Sequence, residues 1–167
     1  MNEADLFCKD DINGNPVYFI DRECTKAYTG HIEDYDKGFL CMEADVADGF
    51  IQGIRKEYYP ESLQLEKISY MEHNLIMGLD MYFYENGKVR FLTLAICNDF
   101  FDLYEFNEDG TLKTVKLWPD SNFWYLEQRG DADRISRMRA QFDLKKISEE
   151  IMREGENFDY RKYFEEK

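Results

Sequence analysis

Tyr84-Glu85-Asn86-Gly87-Lys88-Val89 decides how this chain is read. Asn-Gly between two apolar, alternating runs is a strong β-hairpin signal. Both central residues of a type I′ turn need positive φ, which Asn and Gly tolerate. The same frame occurs at Tyr35-Asp36-Lys37-Gly38-Phe39-Leu40. It recurs one residue longer from Phe106 to Leu112, with Asp109-Gly110 as the turn, and in a degenerate form at Tyr59-Pro60-Glu61-Ser62-Leu63-Gln64-Leu65. The aromatic anchors Tyr35, Tyr59, Tyr84 and Phe106 are spaced 24, 25 and 22 residues apart.

A second glycine system interleaves with the first. Gly30, Gly53 and Gly78 each lie five or six residues before an anchor. Asp48-Gly49 and His73-Asn74 supply return turns between hairpins. Connections this short exclude parallel crossovers, which need a dozen or more residues. The expected fold is therefore mainly β: an elongated antiparallel hairpin-repeat meander. Counting Pro16–Asp21 and Asn122–Glu127 as flanking strands, about ten strands are expected, spanning about 45 Å if the sheet stays open.

From Asp131 the apolar spacing becomes helical. Ile135, Met138 and Phe142 mark one stripe; Ala140, Leu144, Ile147 and Ile151 mark another on nearly the opposite side. The phase jump at Phe142-Asp143 predicts either a kink or a helix buried on different sides along its length, as one long or two short helices over about 133–154. Asp131 or Asp133 is the expected cap and Gly155 the stop. The expected division is a repeat domain over 1–128, with units at about 28–50, 51–76, 77–99 and 100–118. A helical segment over 129–167 would then be packed on the sheet.

Aligning the units on their anchors places three rows on one face by period-2 geometry. These are Tyr35, Tyr59, Tyr84 and Phe106; then Glu33, Glu57, Tyr82 and Tyr104; then His31, Arg55, Asp80 and Asp102. The opposite face would be apolar, with Ile32, Ile54, Tyr58, Leu79, Met81, Phe83 and Leu103. The anchor row reads as a cross-strand ladder that holds the sheet together. Glu33, Glu57, Asp80, Tyr82, Asp102 and Tyr104 are the candidate partner-binding residues, since Tyr presents large area and a polar tip at low entropic cost.

The net charge is −14, and residues 1–130 carry 25 acidic against 12 basic side chains, leaving −13 within the hairpin array. A field of that sign repels nucleic acid and anionic membranes and attracts basic partners. The first residues have neither a basic nor an apolar signal region, and no apolar run is long enough to span a bilayer, so a cytoplasmic protein is expected. Cys8, Cys24, Cys41 and Cys97 form no C-x-x-C pair and are expected as buried small hydrophobes. His31 and His73 sit beside no nucleophile motif, and no phosphate-loop, dinucleotide or zinc-protease signature is present. Asp99 and Asp102 are the one pair considered for a metal, with solvated acid the preferred reading. No catalytic residue, cofactor or metal is expected, and the chain reads as a binding protein rather than an enzyme.

The order Tyr28-Thr29-Gly30, then Tyr35 to Leu40, then Asp48-Gly49 to Gly53, then Tyr58-Tyr59-Pro60, then Phe83 to Lys88 resembles the MORN-variant repeat family. It is most similar to that family's bacterial antitoxin and immunity branch of the YwqK type, over about residues 16–118. The resemblance implies an elongated hairpin sheet and the one-to-one neutralisation of a cognate toxin, with no catalytic residues to carry over. Acidic inhibitors suit toxins with basic active sites such as nucleases, because complementary charge speeds association. The alternative is a repeat scaffold for protein or membrane assembly, which on a membrane would want basic patches. The sequence departs from the family pattern at Glu61-Ser62-Leu63 and at Asn98–Phe101, where the expected glycines are missing.

Overall fold

A computed structural model describes residues 1–119 and 130–164. The predicted strand at 122–127 lies outside the described residues. Eight strands form one antiparallel meander in sequence order: β3 (Gly30–Asp36), β4 (Phe39–Ala47), β5 (Phe50–Tyr58), β6 (Leu65–Glu72), β7 (Leu75–Phe83), β8 (Val89–Ile96), β9 (Asp99–Phe106) and β10 (Leu112–Lys116). The sheet is open. The predicted N-terminal strand exists as β2 (Pro16–Phe19), but it pairs with β1 (Phe7–Asp10), a strand not foreseen, rather than extending the main sheet. Residues 1 and 2 run along the outer edge of β3, where Met1 N donates to His31 O and Glu33 N donates to Met1 O. That pairing covers an otherwise free strand edge.

The turns explain the repeat. Lys37-Gly38, Asp48-Gly49, His73-Asn74 and Cys97-Asn98 each have two consecutive residues at positive φ, the geometry of a two-residue type I′ hairpin. At Tyr84–Gly87 the structure corrects the expected type I′ turn. Only Gly87 is left-handed, and its N–H donates to Tyr84 O, so the loop is a type I turn closed by a left-handed residue. Gly110 repeats this geometry over Asn107 O. In the degenerate unit Leu63 fills the left-handed position instead. After each of these tips the register slips by one, leaving Cys41, Glu66, Arg90 and Lys113 as the extra residues. A bulge repeated at the same place four times twists every hairpin alike.

The helical segment breaks at the phase jump, so of the two alternatives the structure has two short helices. Helix α1 (Ala132–Gln141) ends at extended Phe142, and α2 (Leu144–Glu154) starts from Asp143, whose side chain accepts from Lys146 N. Gly155 terminates α2 at φ 54°. Asp131 precedes α1 but makes no side-chain capping bond. Because the chain bends at Phe142, Ile135 of α1 and Leu144, Ile147 and Ile151 of α2 reach one and the same core. Ala140, expected in the second stripe, is exposed. No helix among the described residues is long and apolar enough to cross a membrane.

The core is split between the two sides of the sheet. The helices cover one face at its β6–β9 end, over Ile68, Leu79, Met81, Leu92, Leu94 and Phe106. The N-terminal segment covers the other face at its β3–β7 end, where Tyr18 and Tyr28 pack on Ile32, Ala44, Val46, Ile51 and Met71. Each fully buried aliphatic or aromatic side chain contributes about 1.5–3 kcal/mol relative to exposure. The expectation of one apolar and one polar face is thus corrected, because two different segments, each covering part of one side, require two apolar patches. The four cysteines are also not buried: Cys8 is exposed and the other three are half-buried.

A carboxylate surface and an adjoining groove on the helix face

Cross-strand pairing defines which side each residue takes. One row runs Glu33, Glu43, Lys56, Ile68, Met81, Leu92, Tyr104, Val115 on the helix face. The row beside it, Ile32, Ala44, Arg55, Ser69, Asp80, Thr93, Leu103, Lys116, lies on the opposite face. The twelve residues expected on one side are therefore divided. His31, Glu33, Asp102 and Tyr104 take the helix face, while Arg55, Glu57, Asp80 and Tyr82 take the other. The interleaved glycines carry the true frame. His31, Ile54 and Leu79 each follow a glycine and share a face, whereas the anchors Tyr35, Tyr59 and Tyr84 lie five, six and six residues after theirs. A one-residue slip exchanges faces.

The six candidate residues fare differently. Asp80 is fully buried and accepts from the Ser69 hydroxyl and, at 3.2 Å through its carbonyl, from Thr93. Lys67 Nζ lies 3.7 Å from its carboxylate and over the Tyr82 ring. Burial pushes the Asp80 carboxyl up to about 6, although Lys67 and the two hydroxyls oppose the shift. Burial alone would lower Lys67, but the Asp80 charge, the Tyr82 side chain and Glu57 together outweigh it and hold the ammonium above its ordinary value. Asp102 is buried against α1, where Arg139 grips it, and Tyr104 is in the helix-side core. Glu33, Glu57 and Tyr82 remain half-exposed. The anchors Tyr59 and Tyr84 donate to Phe83 O and Phe106 O of the following hairpin at 2.8 and 2.9 Å, so they tie the repeat together.

On the uncovered part of the helix face the anchor frame reached Glu33, His31 and Tyr35 but missed Glu43, Asp45 and Glu72. Glu33, Glu43, Asp45 and Glu72 lie there with Lys56 as the one lysine or arginine among these neighbouring positions. Glu43 receives Lys56 Nζ at 2.6 Å and the Tyr58 hydroxyl at 2.8 Å. Burial would raise its carboxyl, but these two hydrogen bonds prevail and hold it below the usual range. The Tyr58 phenol is pushed up by burial and by the same bond. His31 Nδ1 sits 2.8 Å from Asp45, and Tyr35 donates to Glu33 at 3.2 Å. On the opposite face Asp34, Glu57, Asp80 and Glu105 meet Arg55, Lys67 and Lys116 in the matching rows, so charge there is nearly balanced. Counting from Gly30 and Gly53 instead of the aromatics would have placed Glu33 and Lys56 together on this face.

Beside it, between the end of α1 and strands β4–β7, opens a groove of about 600 Å³. Ile54, Tyr70, Met77, Met138 and Phe142 form its apolar wall, and Asp45 and Glu72 stand on its rim. Among the described residues no group of three or more His, Cys, Asp or Glu is arranged to hold a metal ion. Both Asp102 oxygens, considered for a metal with Asp99, are taken by Arg139. The sequence matches no protein-family model and no curated protein.

Proposed function

We propose that this chain is a protein-binding β-sheet module that neutralises a basic toxin domain one to one, as an immunity protein or antitoxin does. The observation that carries the reading is the asymmetry of charge. Among the described strand residues, the uncovered helix face holds Glu33, Glu43, Asp45 and Glu72 against Lys56 and the His31 imidazole, while the matching rows of the other face are close to neutral. An open, pre-formed sheet surface of one sign steers an oppositely charged protein into register and raises its association rate. Tyr35 and Tyr58 stand among these carboxylates and add contact area with polar tips. The resemblance to the antitoxin branch of the MORN-variant family points the same way, and on this reading the chain has no catalytic role, no cofactor and no membrane partner.

Co-expression with the product of the neighbouring reading frame, and with its C-terminal domain alone, tests the proposal. Rescue of growth and a stoichiometric complex are expected. The association rate should fall at least tenfold between low and physiological salt. No rescue, or no complex, would reject the reading.

A further inference from the structure

We infer that the groove between α1 and strands β4–β7 is the anchor site of the partner, and that it seats a cationic side chain flanked by apolar residues. This inference rests on the proposed protein-binding role and says where and by what chemistry the partner is held.

The groove is lined on both sides by groups that suit one kind of occupant. Tyr70 and Phe142 pack on each other with ring centroids 6.3 Å apart and line the groove together, and Met77 and Met138 offer thioethers that adapt to an irregular guest. Asp45 and Glu72 supply carboxylates at the mouth, and the lining contains no lysine or arginine. A guanidinium or ammonium on an aliphatic stem satisfies both halves. Its stem lies on the apolar wall, its head meets the carboxylates, and an arginine stacks on an aromatic face. Groove volume falls within the range of about 300–1,000 Å³ typical of ligand pockets, ample for an anchoring side chain and its neighbours.

Two backbone features shape the groove. At Gly53 and Gly78 one residue, Asp45 of β4 or Tyr70 of β6, faces three of β5 or β7, and φ is +83° and +136°. A side chain added at Gly53 would meet nothing within 4 Å, so the space above it is free. Asp45 is shared with the carboxylate surface through His31, so the groove and that surface are continuous. A basic protein drawn to the acidic rows would therefore meet the groove as part of the same footprint.

The test uses the full chain, ¹⁵N-labelled, titrated with a synthetic decapeptide alternating arginine and leucine, and with its glutamate-for-arginine counterpart. Amide shifts at Ile54, Tyr70, Met138 and Gln141 are expected with the basic peptide only. The double variant Asp45→Lys/Glu72→Lys should weaken binding at least tenfold. Glu85→Lys/Glu108→Lys, the same charge change at exposed tips on the far end of the strands, should weaken it less than threefold. Equal weakening by both pairs would reduce the effect to bulk charge and overturn the inference. Shifts elsewhere, or changes at these amides with protein concentration alone, would overturn it too, the latter assigning the groove to a second copy. In the growth assay, rescue by wild type and equally by Asp45→Lys/Glu72→Lys would sink the groove and leave the neutralising role standing. Failure of wild type to rescue would sink that role, and the titration would then judge the groove by itself.

Discussion

Asp102 on β9 and Arg139 on α1 form a two-pronged pair, with Nε and one terminal nitrogen of the guanidinium each 2.7 Å from a carboxylate oxygen. The same guanidinium donates to Trp118 O at 2.8 Å, and Trp118 N donates to Asp102 at 3.0 Å. Strand, post-strand segment and helix are thus tied at one point. Asp102 is only 3% exposed, so removal of Arg139 strands a carboxylate. Arg139→Met should cost about 2–3 kcal/mol, at the lower edge of buried-pair losses because the arginine is partly solvated. Urea denaturation measures it, and Arg139→Met combined with Asp102→Leu should recover part of the loss.

Leu63 closes the second hairpin at φ 55°, its N–H donating to Tyr59 O, where Gly87 and Gly110 serve in the later units. The left-handed conformation costs a non-glycine residue about 1–2 kcal/mol, and glycine's extra chain entropy offsets about 0.5–1 of that. Leu63→Gly should therefore stabilise by up to about 1 kcal/mol, raising Tm by roughly 2–4 °C. An unchanged or lower Tm by calorimetry would mean that the leucine packs usefully where it is.

Asn74 links three segments. Its Oδ1 accepts from Ile51 N at 2.6 Å, its Nδ2 donates to Pro16 O at 3.1 Å, and its φ is 66°. Asn98 repeats the first bond, to Ile76 N at 2.7 Å, but is exposed. Asn74→Ala should cost about 2–4 kcal/mol, from an unsatisfied buried N–H and a left-handed alanine. Asn98→Ala should cost less, since water replaces its side chain. Paired denaturation curves decide the order.

The Asp80 carboxyl titrates near 6 in the folded chain, against an ordinary 3.8, because burial disfavours its charge. Between those values the folded state binds more protons than the unfolded one. Stability from Asp80 is therefore fully present below about 3.8 and is lost as pH rises through about 6. The stability difference between wild type and Asp80→Asn should fall by about 2–3 kcal/mol from pH 4 to pH 7. A carboxyl ¹³C titration reads the midpoint directly, and a midpoint below 4 would contradict it.

Much of the architecture was legible in the chain. Asn-Gly, Lys-Gly and Asp-Gly tips, the His73-Asn74 return turn and the Phe142-Asp143 phase jump lie where the structure uses them. The surface was less legible. The aromatic anchors are conspicuous, yet the sheet is registered on Gly30, Gly53 and Gly78, and an offset of one residue moved half of the expected rows to the other face. Asp80 and Asp102 show the consequence. Each reads in sequence as a polar strand residue, and each is buried with a partner supplied by another element, Lys67 of β6 and Arg139 of α1.

The sequence by itself determined the local decisions: where strands turn, that neighbours pair antiparallel, and where the C-terminal apolar stripe changes phase. These follow from φ preferences and short-range periodicity. Only the tertiary structure decided which face each side chain takes and which carboxylates stay open. At Gly53 and Gly78 the bulges add two residues, which preserves alternation; between β8 and β9 a single extra residue inverts it. Which patches remain uncovered then depends on the N-terminal segment and the helices, distant in sequence, each packing on a different side.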